Sequence, residues 1–267
     1  MDRGLKHRAR KRFGQHFLHD RGVIERIVAA IDPRPGDRLV EIGPGLGALT
    51  LPLLQRAGRL EVVEIDRDVI PPLLEHCRGA GELVVHNQDV LETDFAALAA
   101  GGPPLRACGN LPYNISTPLL FHLLDAAASI RDMHFMLQKE VVDRMVAPPG
   151  GKDYGRLTVM LAASCRCERL FKVGTGAFSP PPRVESAVVR ILPLVAPPFP
   201  LPDRARFARV VAAAFSMRRK TLRNSLRGVV TEQAFEAAAV DPGRRAETLR
   251  PDEFAALAAA PAPLPAV

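Results

Sequence analysis

Between residues 38 and 194 the chain repeats one rhythm. A short apolar run closes on a glycine or an acid, and a longer stretch with helical spacing of its apolar positions follows. Runs at 39–42, 60–65, 83–86, 105–108 and 133–137 predict five strands. The stretches at 46–57, 66–77 and 117–127 predict helices between them. Pro71 and Pro72 fit only the first turn of the second helix. Ser116 or Thr117 is expected to cap the third, with Pro118 at its first position. Strands alternating with helices in this order imply an α/β fold with a parallel, doubly wound sheet, whose ligands sit at the carboxyl ends of the strands.

The rhythm then changes. Runs at 157–167 and 186–192 predict two late strands that can pair antiparallel at the sheet's edge, with a stiff proline-rich loop at 178–183 between them. Pro197, Pro198, Pro200 and Pro202 make 194–202 a linker. Beyond it, 205–215, 220–226, 232–239 and 252–259 are helical in pattern. The expected division is therefore a larger α/β domain over 1–198 and a small all-α domain over 199–267, with 260–267 frayed.

Charge adds a class of partner. The chain of 267 residues carries 36 Lys+Arg against 29 Asp+Glu, a net charge of +7. The excess is concentrated in residues 1–12, which include Arg10, Lys11 and Arg12, and in 218–227, which hold Arg218, Arg219, Lys220, Arg223 and Arg227 with no acid. Blocks this dense favour a polyanion such as nucleic acid over a merely solvated surface. The four cysteines show no C-x-x-C spacing and no histidine set to complete a zinc site, so no metal is expected and burial is their reading. No apolar leader and no membrane-length apolar run is present, which predicts a cytoplasmic chain. A monomer is the default expectation.

Two motifs carry chemistry. The first is Glu41-Ile42-Gly43-Pro44-Gly45-Leu46-Gly47, directly after a predicted strand. Gly43 and Gly45 let the backbone approach a ligand closely, and the next helix offers free N–H groups. Glu64, ending the second strand, is placed to accept both ribose hydroxyls of a nucleoside. Asp89 can accept from an adenine amino group, with the Val90 N–H beside it. Taken alone, the loop also fits the dinucleotide fingerprint of a NAD-dependent enzyme. Pro44 and Gly47 count against that, because they give the form expected when no pyrophosphate is cradled.

The second motif is Asn110-Leu111-Pro112-Tyr113, after the fourth strand. The amine of adenine is a poor nucleophile because its lone pair is delocalised into the ring. The Asn110 side-chain oxygen and the Leu111 carbonyl can each accept one of its N–H groups. Pro112 fixes the backbone, and Tyr113 offers a face for stacking. Phe178 is expected to close the other side of the base, although for a lone Phe a place in the core is the better reading. Catalysis here is positioning, and the target base must be unpaired or flipped. A dehydrogenase has no use for this tetrapeptide.

These stretches resemble the ribosomal RNA adenine N6,N6-dimethyltransferases, and among them the bacterial enzymes that modify two adjacent adenosines near the 3′ end of small-subunit rRNA. The likeness covers nearly the whole chain. It includes 10–18, 41–47, 64–66, 88–89, 109–118, 133–142, 154–157, 178–184 and 218–226. The resemblance implies a Rossmann-like class I methyltransferase sheet and S-adenosyl-L-methionine as donor. It implies cofactor contacts from His16, Leu18, Gly43, Glu64, Asp89 and Asn110. His16 stands where many relatives have Asn, so its contact is expected through backbone. It further implies a partly assembled small subunit as substrate, with the helical domain aiding docking. Two other readings stay open: a large-subunit rRNA methyltransferase of the antibiotic-resistance type, and an assembly factor for which methylation is secondary.

Overall fold

The computed structural model describes residues 16–260. Arg10, Lys11 and Arg12, and the chain beyond residue 260, lie outside the described residues. In chain order the elements are β1 (Phe17–Leu18), α1 (Arg21–Ile31), β2 (Leu39–Ile42), α2 (Thr50–Ala57), β3 (Arg59–Val63), α3 (Ile70–His76), β4 (Glu82–His86) and α4 (Phe95–Ala99). Then come β5 (Leu105–Asn110), α5 (Ser116–Asp125), β6 (Ile130–Gln138), α6 (Lys139–Met145), α7 (Arg156–Ala162), β7 (Cys165–Val173), β8 (Phe178–Ser179) and β9 (Ser186–Pro193). Helices α8 (Arg204–Ser216), α9 (Leu222–Ser225), α10 (Glu232–Ala237) and α11 (Pro251–Ala259) complete the chain.

Seven strands form one sheet in the order β4-β3-β2-β5-β6-β9-β7. The β2–β3, β2–β5, β3–β4 and β5–β6 pairings are parallel, and β9 runs antiparallel to β6. The central strands are largely buried, and among their apolar residues they carry buried charged or polar groups at Glu41, Arg106, Asp132 and His134. The strand order reverses between β2 and β5, which leaves a crevice at the carboxyl ends of β2, β3 and β5.

The chain divides into two compact units, one of 1–142 with 168–193, the other of 143–167 with 194–267. The first holds the sheet. One of its buried clusters packs Ile27, Leu53, Leu60, Leu73 and Phe178. The second has its own core around Phe207, Val210, Leu222, Leu249 and Phe254, to which Tyr154 and Val159 of the inserted segment belong. The Tyr154 hydroxyl donates to the Leu249 carbonyl at 2.7 Å. The helical unit is thus discontinuous in sequence and takes in a segment well before the proline linker.

Three local expectations are corrected. Residues 157–167 are not one strand: α7 occupies the first part and β7 begins at Cys165. Thr158 and Leu161, three apart on one helix face, are buried with Val159 beside them, a distribution that the apolar run alone does not reveal. Neither Ser116 nor Thr117 caps α5. Its cap is Ile115, and the Ser116 hydroxyl instead donates to the Tyr113 carbonyl at 3.0 Å. The first helix after the glycines starts at Thr50 rather than residue 46, because 45–49 are taken up by turns. Cys77, Cys108 and Cys165 are buried, free thiols, and burial pushes Cys77 up to about 11.

Candidate active site

A cleft of about 280 Å³ opens at the carboxyl ends of β2, β3 and β5. The glycine loop forms its floor. Gly45 has a φ of +55°, and a Cβ there would meet the Phe17 ring at 3.3 Å, so the loop and β1 close on each other only without a side chain. Gly109 is the second such position. A Cβ would sit 2.3 Å from the Ile42 carbonyl oxygen, so glycine lets β5 run tightly beside β2 up to Asn110.

The walls carry three carboxyl groups: Glu41, Glu64 and Asp89. Glu64 Oε1 accepts from the Asp66 N–H at 2.8 Å, and Oε2 takes a long bond from the Gly45 N–H at 3.4 Å. Burial raises the Glu64 pKa against those two bonds. Glu41 is 2 % exposed and accepts from the Thr50 hydroxyl at 2.7 Å. Burial pushes it up to about 7, the Thr50 bond pulls it down, and the Glu64 charge adds to the rise. Asp89 Oδ1 accepts from the Leu91 N–H at 2.9 Å, and Val90 between them lines the cleft.

A strap covers one side. Strand β1 pairs antiparallel with β8, Phe17 opposite Ser179 and Leu18 opposite Phe178. His16, Phe17 and Leu18 all line the cleft. The His16 ring Nδ1 lies 2.8 Å from the Pro180 carbonyl, which can only accept, so Nδ1 carries the proton. The His16 carbonyl accepts from Asn110 Nδ2 at 3.1 Å. That bond fixes the Asn110 amide: nitrogen toward the strap, Oδ1 left as an acceptor.

Asn110 and Pro112 line the cleft. The Leu111 side chain is in the core, and its N–H donates to the Met136 carbonyl at 3.1 Å. Tyr113 stands beside them, half-buried. Its hydroxyl is 2.8 Å from Ser186 Oγ, and its ring lies 6.0 Å from that of His16 at 30°. Burial keeps the phenol protonated by raising its pKa against the Ser186 bond.

The structure therefore brings together His16, Leu18, Gly43, Gly45, Glu64, Asp89, Val90 and Asn110. It does not bring the Phe178 ring with them. Phe178 is 3 % exposed, packs in the core of the sheet unit and is absent from the cleft wall. Its two-residue strand must pair with β1, and that pairing turns the ring inward. Phe17, Gln88 and Asn114 line the cleft although no motif assigned them a role, and Ser186 anchors Tyr113 from far along the chain. Phe17, Gln88 and Asn114 fall within stretches that carry the resemblance, whereas Ser186 lies outside all of them. Arg218, Arg219, Lys220 and Arg223 are exposed in the other unit. Arg218 lies 3.7 Å from Glu247 and Arg223 3.2 Å from Glu232. Among the described residues Arg219 and Lys220 have no ion pair.

The donor set decides which nucleoside cofactor fits. Three carboxyl groups and no Lys or Arg line the cleft among the described residues. A dinucleotide would bring a pyrophosphate dianion into that field, whereas S-adenosylmethionine brings a sulfonium, an ammonium and one carboxylate. The cleft fits the second and repels the first. The glycine loop is bare of basic side chains, with the Glu64 carboxylate where a ribose can be accepted.

A switch-point cleft of this kind, on a seven-stranded sheet with β9 antiparallel to β6, defines a class I methyltransferase. The comparisons narrow the class. Residues 6–261 match the family described as ribosomal RNA adenine dimethylase. A protein of Xanthomonas campestris pv. campestris called "Ribosomal RNA small subunit methyltransferase A" is 58 % identical over 250 residues, 94 % of this chain and 95 % of that one. Among solved structures, a dimethyladenosine transferase from Plasmodium falciparum is 25 % identical with a TM-score of 0.76, covering 91 % of this chain and 96 % of that one. The 23S rRNA methyltransferase ErmE is 29 % identical with a TM-score of 0.70, covering 91 % and 98 %. The chain belongs to the ribosomal RNA adenine dimethylase family, and its cofactor is S-adenosyl-L-methionine.

Proposed function

We propose that this enzyme methylates the N6 amines of two adjacent adenosines in a 3′-terminal hairpin loop of small-subunit rRNA, giving N6,N6-dimethyladenosines during assembly of the small subunit in the cytoplasm. The observation that carries the reading is the fixed Asn110 amide, held by the His16 carbonyl at 3.1 Å at the rim of an acidic cleft without basic side chains. The small-subunit assignment rests on the relative named for that subunit, 58 % identical, against 29 % for the large-subunit enzyme.

When bound, S-adenosylmethionine supplies an electrophilic methyl group. Glu64 accepts the ribose hydroxyls, Asp89 and the Val90 N–H read the adenine edge, and His16 and Leu18 cover the opposite end. For the acceptor, Asn110 Oδ1 and the Leu111 carbonyl take the two N–H groups of the target amine. This draws the nitrogen toward pyramidal geometry and frees its lone pair. Pro112 holds the Leu111 carbonyl in place, and Tyr113, pinned by Ser186, is the stacking face. The proton lost from nitrogen passes to solvent, and no side chain with a tuned pKa is required. Phe178 serves through the backbone of β8, which holds the strap, and not through its ring face. The helical unit, with Arg218, Arg219, Lys220 and Arg223, binds rRNA in the partly assembled particle, and 10–12 add a second basic contact. The protein acts as a monomer.

Asn110→Ala tests the assignment. Turnover is expected to fall at least about 100-fold while affinity for undermethylated small subunits stays within a factor of two or so. Methylation at the wild-type rate would remove Asn110 from the mechanism.

A further inference from the structure

At the opposite, amino-terminal end of the parallel strands lies a second cavity, of about 360 Å³. Its floor is the sheet face where β5, β6 and β9 meet. His134 on β6 is directly opposite Arg190 on β9, and Asp132 is paired across to Arg106 on β5. Most charges here are matched. Arg106 binds Asp132 at 3.0 Å and Asp37 at 2.7 Å, and its remaining N–H groups cap α1 through the carbonyls of Ile31 and Asp32. At the mouth, Arg131 lies 3.4 Å from Asp37 and is 62 % exposed, and Arg34 is held by Asp32.

Two floor residues are left over. His134 is 3 % exposed, and neither of its ring nitrogens has a hydrogen-bond partner among the described residues. The same holds for the buried Nε of Arg190, which has no carboxylate partner among them. Burial, with help from Arg106 and Arg190 and against Asp132, lowers the His134 pKa to about 4, so the ring is neutral and offers one N–H. Unmatched buried donors are costly and rare. Here both residues line one cavity, with the unpartnered nitrogens closed off just beneath its surface, and they leave it one positive charge in excess, that of Arg190.

We propose that this cavity is a phosphate-binding site, with Arg190 and the His134 ring as the inner donors and Arg34 and Arg131 at the entrance. A planar guanidinium beside a neutral imidazole N–H is a donor set suited to a tetrahedral oxyanion. The site is separate from the cofactor cleft, which lies at the other end of the same strands. The phosphate comes either from solution or from an RNA backbone that reaches round the sheet.

Titration of the full chain with inorganic phosphate at constant ionic strength, followed by calorimetry, tests this. Saturable binding is expected, weakened about tenfold or more in Arg190→Gln. Circular dichroism and S-adenosylmethionine affinity serve as checks that the variant folds. Nitrogen NMR of the histidine rings in the wild-type chain gives a second readout that needs no variant: the His134 signal is expected to move with phosphate. If saturating phosphate and Arg190→Gln both weaken binding of a short single-stranded RNA, the RNA backbone is the source. If RNA binding is indifferent to both while phosphate still binds, the ligand is free phosphate. No saturable binding beyond a chloride control, an unmoved His134 signal, or equal affinity in Arg190→Gln would overturn the proposal and leave ordered water as the partner of these groups.

Discussion

Asn110 has one amide nitrogen and one amide oxygen, and only the nitrogen can meet the His16 carbonyl. That choice leaves the oxygen as the acceptor an adenine amine needs. Glu41 has a different role, since it is a carboxyl group held in the core. Its pKa rises from an ordinary 4.5 to about 7, chiefly through burial. The folded state therefore keeps a proton that the unfolded state has lost, so stability declines as pH rises from about 4.5 to 7, by roughly 3 kcal/mol over that window. Glu41→Gln keeps the acceptor for the Thr50 hydroxyl and removes the titration. Its melting temperature is expected to gain on the wild type progressively between pH 5 and pH 8. A difference independent of pH would mean that Glu41 is ionised throughout. Residues placed by their own strand are legible in the sequence: the glycine loop, Glu64, Asp89 and Asn110 all line one cleft. The His16–Asn110 and Tyr113–Ser186 bonds were not legible, because each joins positions far apart in the chain and nothing local marks the pair.

At the scale of elements, strand β8 shows how two residues of pairing can override a functional expectation. Leu18 opposite Phe178 in the β1–β8 ladder turns the Phe178 ring into the core. Phe178→Ala is therefore expected to lower stability by about 3–5 kcal/mol, read by denaturant unfolding. A loss of base binding at unchanged stability would restore the ring to the acceptor site. The five parallel or central strands were recovered from periodicity because each is a short apolar run ending on a turn signal. The run at 157–167 failed for a physical reason. A continuous apolar stretch has no period, so a buried helix and a buried strand look alike until packing separates them. Ser116 likewise had the chemistry of a cap but found a nearer acceptor in the Tyr113 carbonyl.

At the scale of the whole molecule, the second unit is assembled from 143–167 and 194–267, and Tyr154 belongs to its core. A linker rich in proline marks one entry into that unit; the other falls within α6, at Asp143, where composition shows no break, and the Pro148-Pro149-Gly150-Gly151 run lies a few residues inside. The net charge of +7 has a long-range consequence. Exposed Arg219 and Lys220, with Arg218 and Arg223 in weak surface pairs, are available to phosphates. Replacing all four with Gln is expected to weaken particle binding and to flatten its dependence on log salt by about 0.7 for each phosphate no longer neutralised. An unchanged slope would show that this block faces solvent in the complex.

The central claim is tested most directly by methyl transfer from labelled S-adenosylmethionine to undermethylated small subunits, large subunits and free rRNA, with the product nucleoside identified. Label in N6,N6-dimethyladenosine on small subunits alone is the result expected. Label on large-subunit RNA would contradict the substrate assignment, and no label on any RNA would contradict the catalytic reading and favour a binding factor.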